Sequence, residues 1–319
     1  MVDLSIIIPV YNVEQYLENC LNSILNGNLK NIELICINDG STDNSLNILN
    51  NYAEKYNNIK VISQQNQGQG VARNLGIEIA QGEYIGFVDP DDWVEPEMFE
   101  RMYNQAKKFD LDIITCNRKC HFQDKIKYKN DWKKIKGNYT NIKKQKVTNI
   151  RPNNNLTYQD IQQTLLVSFC FCWNKIFKAS LIKDYNIKFS STRLSEDVIF
   201  ILKAFLYAKK ISYLNEYLYN YRESSQSISH KITDYAFDEF QVIQELEEFF
   251  NNNPQYKNFL YENYQFYKLF SLTHKYNQVS KNKQKLFLLK AKNILNQKEY
   301  LLLLKKNKLW LELIKELFL

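Results

Sequence analysis

Apolar residues along the first hundred positions fall into two alternating rhythms. Leu4–Val10 is an unbroken, isoleucine-rich run closing on Pro9-Val10, the pattern of a parallel strand buried on both faces. From Val13 to Leu25 the rhythm changes: Tyr16, Leu17, Leu21, Ile24 and Leu25 recur at helical spacing. The alternation then repeats. Strands are predicted over Ile32–Ile37, Ile59–Ser63 and Glu83–Val88, and helices over Ser45–Lys55 and Gly70–Ala80. Ser41, Thr42 or Asp43 supplies the cap for the helix at Ser45. Strand and helix in such alternation predict an α/β fold with a parallel sheet flanked by helices.

Beyond residue 110 the pattern loosens. Leu111–Cys116 reads as one more strand, and Lys125–Asn154, dense in Lys and Asn, as a loop or insertion. Residues 156–222 regain globular character, with a helix over Asp197–Ala208 and a strand at Ile211–Leu214. From Tyr235 onward the pattern is helical, polar and lysine-rich. Three segments follow: 1–115, 116–230 and 231–319.

Composition changes this picture little. Of 319 residues, 45% are hydrophobic, which supports a sizeable core and excludes global disorder. Met1-Val2-Asp3-Leu4 begins no basic, apolar leader, and no apolar run reaches the ~20 residues that span a bilayer. Cytosol is therefore the expected compartment. Cys116/Cys120 and Cys170/Cys172 lack CxxC spacing and a histidine set, so buried thiols are expected rather than a metal centre. Charge is asymmetric: residues 1–110 hold 7 basic and 16 acidic side chains, the remainder 35 basic and 19 acidic. An acidic front half argues against a nucleic-acid groove there, while the basic back half suits an anionic partner.

In open parallel sheets ligands bind beyond the carboxyl ends of the strands. Three polar clusters fall at such ends: Pro9-Val10-Tyr11-Asn12, Asn38-Asp39-Gly40-Ser41 and Asp89-Pro90-Asp91-Asp92. Asp89 and Asp91, two apart where a strand ends, offer hard oxygen donors suited to Mg²⁺ or Mn²⁺ completed by substrate phosphates. The blander alternative is that Asp91-Asp92 cap the helix entered near Pro96. Gly68 and Gly70 ahead of a helix suggest a phosphate cradle, but the first strand-to-helix turn contains no glycine, against a dinucleotide-binding fingerprint.

Four stretches together resemble glycosyltransferase family 2 in order and spacing: Ser5–Asn12, Asn38–Asp43, Asn66–Gly76 and Gly82–Trp93. The resemblance implies a GT-A fold, a nucleotide-sugar-binding half over 1–115, an acceptor-binding half over 116–230 and a helical C-terminal extension over 231–319. It implies an inverting transfer from a UDP-sugar that requires Mn²⁺ or Mg²⁺. Carried over by residue, Pro9, Tyr11 and Asn12 line the donor, with Tyr11 against the nucleoside. Asp39 accepts from uracil N3–H, Arg73 faces the uracil carbonyl, and Asp89-x-Asp91 is the DxD motif holding ribose and metal. Leu194–Phe200 resembles the family's Glu-Asp motif, which makes Asp197 the base for the acceptor hydroxyl and Glu196 an alternative base or hydroxyl anchor. Glu196-Asp197 also fits a plain acidic helix N-terminus. Trp173, in a stretch similar to a family segment lining the donor sugar, is either a sugar platform or core. Tyr219–Arg222 and Ser227–His230 resemble a flexible segment closing on the pyrophosphate. Arg222 and Ser227 would neutralise the leaving UDP there, whereas His230 reads as surface.

The resemblance also implies a glycan or glycolipid acceptor, as in lipooligosaccharide or capsule assembly. Lysines and leucines mixed over Lys281–Leu319 fit a helix packed on the catalytic domain, or an amphipathic helix on the cytoplasmic face of the inner membrane. Two other functions compete: a nucleotidyltransferase, which would want a Gly-rich basic loop after the first strand, and a non-enzymatic glycan- or nucleic-acid-binding protein. The acidic front half makes nucleic acid an unexpected partner.

Overall fold

The structure, a computed structural model, describes residues 2–122, 125–130, 156–162, 165–166, 171–223 and 234–306. It divides into two compact units, Met1–Ser191 with Glu196–Ser224, and Thr192–Ser195 with Ser225–Leu319. Residues on either side of position 115 belong to the first unit.

That first unit opens with the alternation expected. It runs β1 (Leu4–Val10), α1 (Glu14–Leu25), β2 (Ile32–Asn38), α2 (Ser45–Lys55), β3 (Ile59–Ser63), α3 (Gln69–Ile79) and β4 (Tyr84–Phe87). These four strands are parallel in the order β3-β2-β1-β4. Next come β5 (Trp93–Val94), α4 (Met98–Phe109), β6 (Ile113–Phe122), β7 (Lys125–Lys129), β8 (Lys175–Lys178), α5 (Ala179–Asp184), α6 (Asp197–Tyr207) and β9 (Ile211–Arg222). Their strands extend the sheet as β8-β6-β9-β5, antiparallel at β4/β8, β8/β6 and β9/β5, with β7 paired to β6. Two expectations are corrected here. The start of Lys125–Asn154 is a strand, although its remainder from 131 lies outside the described residues. The strand expected over Ile211–Leu214 continues to Arg222.

Alternation along β1 explains why both faces are covered. Leu4, Ile6, Ile8 and Val10 pack with Leu17, Leu21 and Ile24 of α1 and with Met98 and Met102 of α4. On the other face Ile7 lies against α3, where a Cβ on Gly76 would come within 2.5 Å of Ile7 Cγ2. Ser5 on that face is polar but satisfied, donating to Glu33 Oε1 (2.6 Å) and accepting from the Gly82 amide (2.8 Å). Phe200 of α6 packs against Phe87, Phe177 and Phe189, with ring centroids 5.6, 5.4 and 3.9 Å away. This aromatic cluster fixes α6 to the sheet.

The second unit is helical among its described residues: α7 (Asp238–Asn252), α8 (Pro254–Phe259), α9 (Tyr261–Tyr276), α10 (Gln284–Ile294) and α11 (Gln297–Lys306). Its core gathers Val242, Ile243, Leu246, Phe250, Leu272 and Phe287, all buried. No described helix is long and apolar enough to cross a membrane.

Candidate active site

Three adjacent parallel strands, β2, β1 and β4, end on one edge of the sheet, and the order reverses beside β1. Their loops brace one another. Asn12, with φ 50°, sits in the left-handed region that asparagine tolerates. Its Oδ1 accepts from the amides of Thr42 (2.7 Å) and Asp43 (3.4 Å). Asp43 in turn accepts from the first-turn amides of both α1 (Glu14, 3.0 Å) and α2 (Ser45, 3.0 Å), which have no partner inside their helices. The Asn12 side chain thus organises the loop. Pro9 is buried within β1, and Tyr11 at the strand end stays 46% exposed.

Asp39, at the end of β2, is 2% exposed. Its Oδ1 accepts from Gln64 Nε2 (2.7 Å) and the Gln67 amide (2.8 Å), and its Oδ2 from the Gly68 amide (2.8 Å). It thereby ties the end of β2 to the turn entering α3, where Gly68 takes φ 99°, a conformation suited to glycine.

Arg73 on α3 is also 2% exposed. Its Nη2 donates to Asp89 Oδ1 (2.7 Å), and its Nη1 to Glu196 Oε1 (2.6 Å). One guanidinium therefore bridges the carboxylate at the end of β4 and the carboxylate at the start of α6. Its Nε, buried too, has no hydrogen-bond partner among the described residues. Gly70, one turn earlier, permits the approach: a Cβ there would meet the Ser190 carbonyl at 2.2 Å and the Glu196 side chain at 3.1 Å. Asp197 is half-buried beside this bridge. Burial, then the charge of Glu196, push its carboxyl well above the usual range, and Arg73 only partly opposes them. Burial also raises the thiol of Cys172, which lies among these same charges.

Asp91 is half-buried, and burial followed by the charge of Asp89 raises its carboxyl to about 6. Arg222 donates its Nε to the Asp91 carbonyl oxygen (2.8 Å), with its guanidinium 4.7 Å from the ring centres of both Tyr16 and Trp93. The expected pyrophosphate arginine is thus the last residue of a strand, held by two aromatic faces. Ser227 and His230 lie outside the described residues.

The glycosyl transferase family 2 model matches residues 5–185, more than half of the chain. The chain belongs to glycosyltransferase family 2. Among relatives of this family 2 member, putative glycosyltransferase EpsH of Bacillus subtilis is 34% identical over 244 residues, covering 73% of this chain and 64% of EpsH. The chain therefore spans slightly under two thirds of that relative. The cholesterol galactosyltransferase of Borreliella burgdorferi is 33% identical over 280 residues, with 82% and 73% covered. Among solved structures, S. aureus TarS residues 1–349 with UDP-GlcNAc superposes with a TM-score of 0.67 at 23% identity, covering 91% of this chain and 79% of that one. The GT-A fold expected from the motifs is the fold observed. Family membership also disfavours the nucleotidyltransferase and non-enzymatic alternatives.

Within this family 2 member, two side chains have roles that motif reading did not reveal. Asp92 caps no helix, since α4 begins at Met98 after Glu97. It is fully buried and accepts from the Tyr219 hydroxyl (2.7 Å) and the Arg222 amide (2.7 Å), pinning β9 to the β4 end. The Tyr219 hydroxyl in turn accepts from the Asp89 amide (3.2 Å). Tyr219–Arg222, expected to belong to a flexible segment, is instead the end of β9, paired with both β6 and β5. Trp173 is 7% exposed and stacks on Phe171 and Tyr219 at 4.8 and 4.4 Å, so it is core. The described cysteines are buried, and no group of three metal-binding side chains occurs among the described residues.

Proposed function

We propose that this chain moves a hexose or N-acetylhexosamine from a UDP-sugar to a hydroxyl of a growing surface glycan, with inversion at C1. The observation that carries the reading is the Arg73 bridge. It brings Asp89, at the donor end of the sheet, within one guanidinium of Glu196, the neighbour of Asp197. Asp197 is the base. A carboxylate with a raised affinity for protons, set at the start of α6, suits proton removal from an attacking hydroxyl. The acceptor oxygen forms its bond to C1 as its proton passes to Asp197. The bond from C1 to the β-phosphate oxygen breaks on the opposite face, and UDP leaves. Glu196, held by Arg73, anchors an acceptor hydroxyl.

On the donor side Tyr11 lies against the nucleoside, with Pro9 and Asn12 shaping the loop beneath it. Asp39 and Arg73 read uracil, Asp39 through a lone pair left by its three hydrogen bonds and Arg73 through its unpartnered Nε. Asp89 takes the ribose. Arg222 and Ser227 face the charge left on UDP. Asp89 and Asp91 also fit a divalent cation: their oxygens are hard, and burial followed by the charge of Asp89, which together lift Asp91 to about 6, leave a negative site that a cation neutralises. With two protein ligands, Mn²⁺ or Mg²⁺ would complete its shell with phosphates and water, and when bound would neutralise the departing diphosphate.

UDP release measured over a panel of UDP-sugars with Mn²⁺ tests this. One donor should exceed the rest, and Asp197→Asn should lose transfer by about 10²–10⁴-fold. Consumption of no donor overturns the reading, and full turnover in excess chelator overturns the metal assignment.

The same reading locates the enzyme in the cytosol, at the inner membrane face where a lipid-linked acceptor resides. The galactosyltransferase relative, named for a sterol acceptor, supports a lipid acceptor. So does α10, whose exposed Leu286 and Leu289 lie among exposed Lys285, Lys290 and Lys292. Salt-sensitive co-sedimentation with anionic phosphatidylglycerol vesicles is expected. Its absence removes the membrane contact and leaves the transfer reaction standing.

A further inference from the structure

The chain visits the helical unit twice. Thr192–Ser195 group with that unit, and the next residue, Glu196, belongs to the sheet-bearing unit. Glu196-Asp197 is therefore joined by one peptide bond to a segment that hydrogen-bonds to the first two residues of α7. Asp238 Oδ2 accepts from the amides of Arg193 (2.6 Å) and Leu194 (3.3 Å). Glu239 Oε2 accepts from the Ser195 hydroxyl (2.9 Å), and its Oε1 from the Tyr267 hydroxyl of α9 (2.6 Å). Three consecutive residues immediately before Glu196 are thus held by two consecutive acids.

Two features separate this from the ordinary acidic first turn of a helix. Glu239 is 1% exposed, whereas an acid serving only the helix dipole has no need of burial. Burying a carboxylate is costly unless its oxygens are used, and here both are, one on Ser195 and one on a second helix. Ser195 also has φ 60°, a left-handed conformation that a non-glycine residue keeps only when its surroundings hold it.

We propose that Asp238 and Glu239 are positioning residues for transfer. By fixing residues 193–195, with Ser195 in its left-handed turn, they set the direction from which the chain enters Glu196-Asp197, and so the aim of the Asp197 carboxylate at the acceptor hydroxyl. Neither touches the reacting atoms. The helical unit gains a role in the chemistry through chain continuity. This inference rests on the reading of Asp197 as the base.

The test compares Glu239→Ala, Ser195→Ala, Asp197→Asn and the double variant Glu239→Ala/Ser195→Gly in the full chain. The donor is the one identified by the UDP-release panel. Readouts are kcat, acceptor KM, UDP affinity by calorimetry and the melting temperature. A misaimed base lowers kcat by about tenfold or more and leaves UDP affinity within about twofold. That result is expected for Glu239→Ala and, more weakly, for Ser195→Ala, which removes one hydroxyl and preserves folding if Glu239→Ala does not. Glycine at 195 adopts the turn without help, so the double variant should recover part of the lost kcat. A kcat within twofold of wild type for both single variants, with Asp197→Asn inactive, overturns the inference and leaves the base assignment intact. Loss of UDP affinity in proportion to kcat also overturns it, because that marks general loosening. Undiminished transfer by Asp197→Asn overturns the base assignment and this inference with it.

Discussion

Asp39 and Asp91 follow β2 and β4, the strands on either side of β1, on the same edge of one sheet, yet the protein treats their carboxylates oppositely. Asp39 is 2% exposed and its two oxygens receive two backbone amides and a glutamine. Asp91 is half-buried, its nearest arginine binds its carbonyl rather than its carboxylate, and it is raised to about 6. One carboxylate commits three hydrogen bonds to holding a loop. The other is kept partly desolvated beside a like charge, an arrangement relieved by a proton or by a bound cation. Motif position alone does not separate these roles, whereas the fate of each oxygen does.

Arg73 is the strongest lever on that contrast, since it satisfies Asp89 while leaving Asp91 unserved. Arg73→Met should cost roughly 3–5 kcal/mol in urea unfolding, because buried Glu196 and half-buried Asp89 lose their shared cation. Asp91→Asn should do the reverse. Turnover is expected to fall by about 10²–10³-fold or more, while the melting temperature holds or rises, and a clear drop in melting temperature would erase the distinction. Asp39→Asn should lose roughly 1–3 kcal/mol of stability by leaving amides short of an acceptor, measured by the same unfolding assay.

A smaller effect concerns Glu33, another carboxylate satisfied by the protein. Burial pushes it up, but hydrogen bonds from Lys60, Ser5 and the Gln81 amide outweigh burial and hold it below the usual range. A depressed carboxylate contributes stability that is complete above its unfolded value and lost as pH falls through its folded one. Glu33→Gln should therefore flatten the dependence of stability on pH below the ordinary glutamate value of 4.5. Unfolding curves across that range decide it, and an unchanged slope would count against the assignment.

The first four strands and three helices were legible to within a residue or two, because burial on both faces writes itself as continuous apolar runs. β7 was not legible. Ile126 and Tyr128 alternate with lysines over only five residues, all exposed, so no buried face sets the strand apart from the Lys- and Asn-rich stretch around it. β9 was cut short at Leu214 because the pairing with β6 shifts register around Asn117, and exposed Asn215 and half-buried Glu216 interrupt the alternation there. Within the site, Asp89 and Asp91 were visible from spacing. The partnership of Arg73 with Glu196, 123 positions apart, and that of Asp92 with Tyr219, 127 apart, depend on which loops converge, which one chain's spacing does not encode.

Gly70 bears on how far this scaffold can be diversified. Its missing side chain lets the first turn of α3 lie against the Ser190 carbonyl and the stem of Glu196, with no room for even a methyl group. The start of α3 and the segment leading into α6 are therefore not exchangeable modules. A chimera that imports another relative's segment before α6 must bring a backbone passing through the same point, or carry a compensating change at position 70. Libraries that randomise that segment while freezing α3 would meet this boundary first.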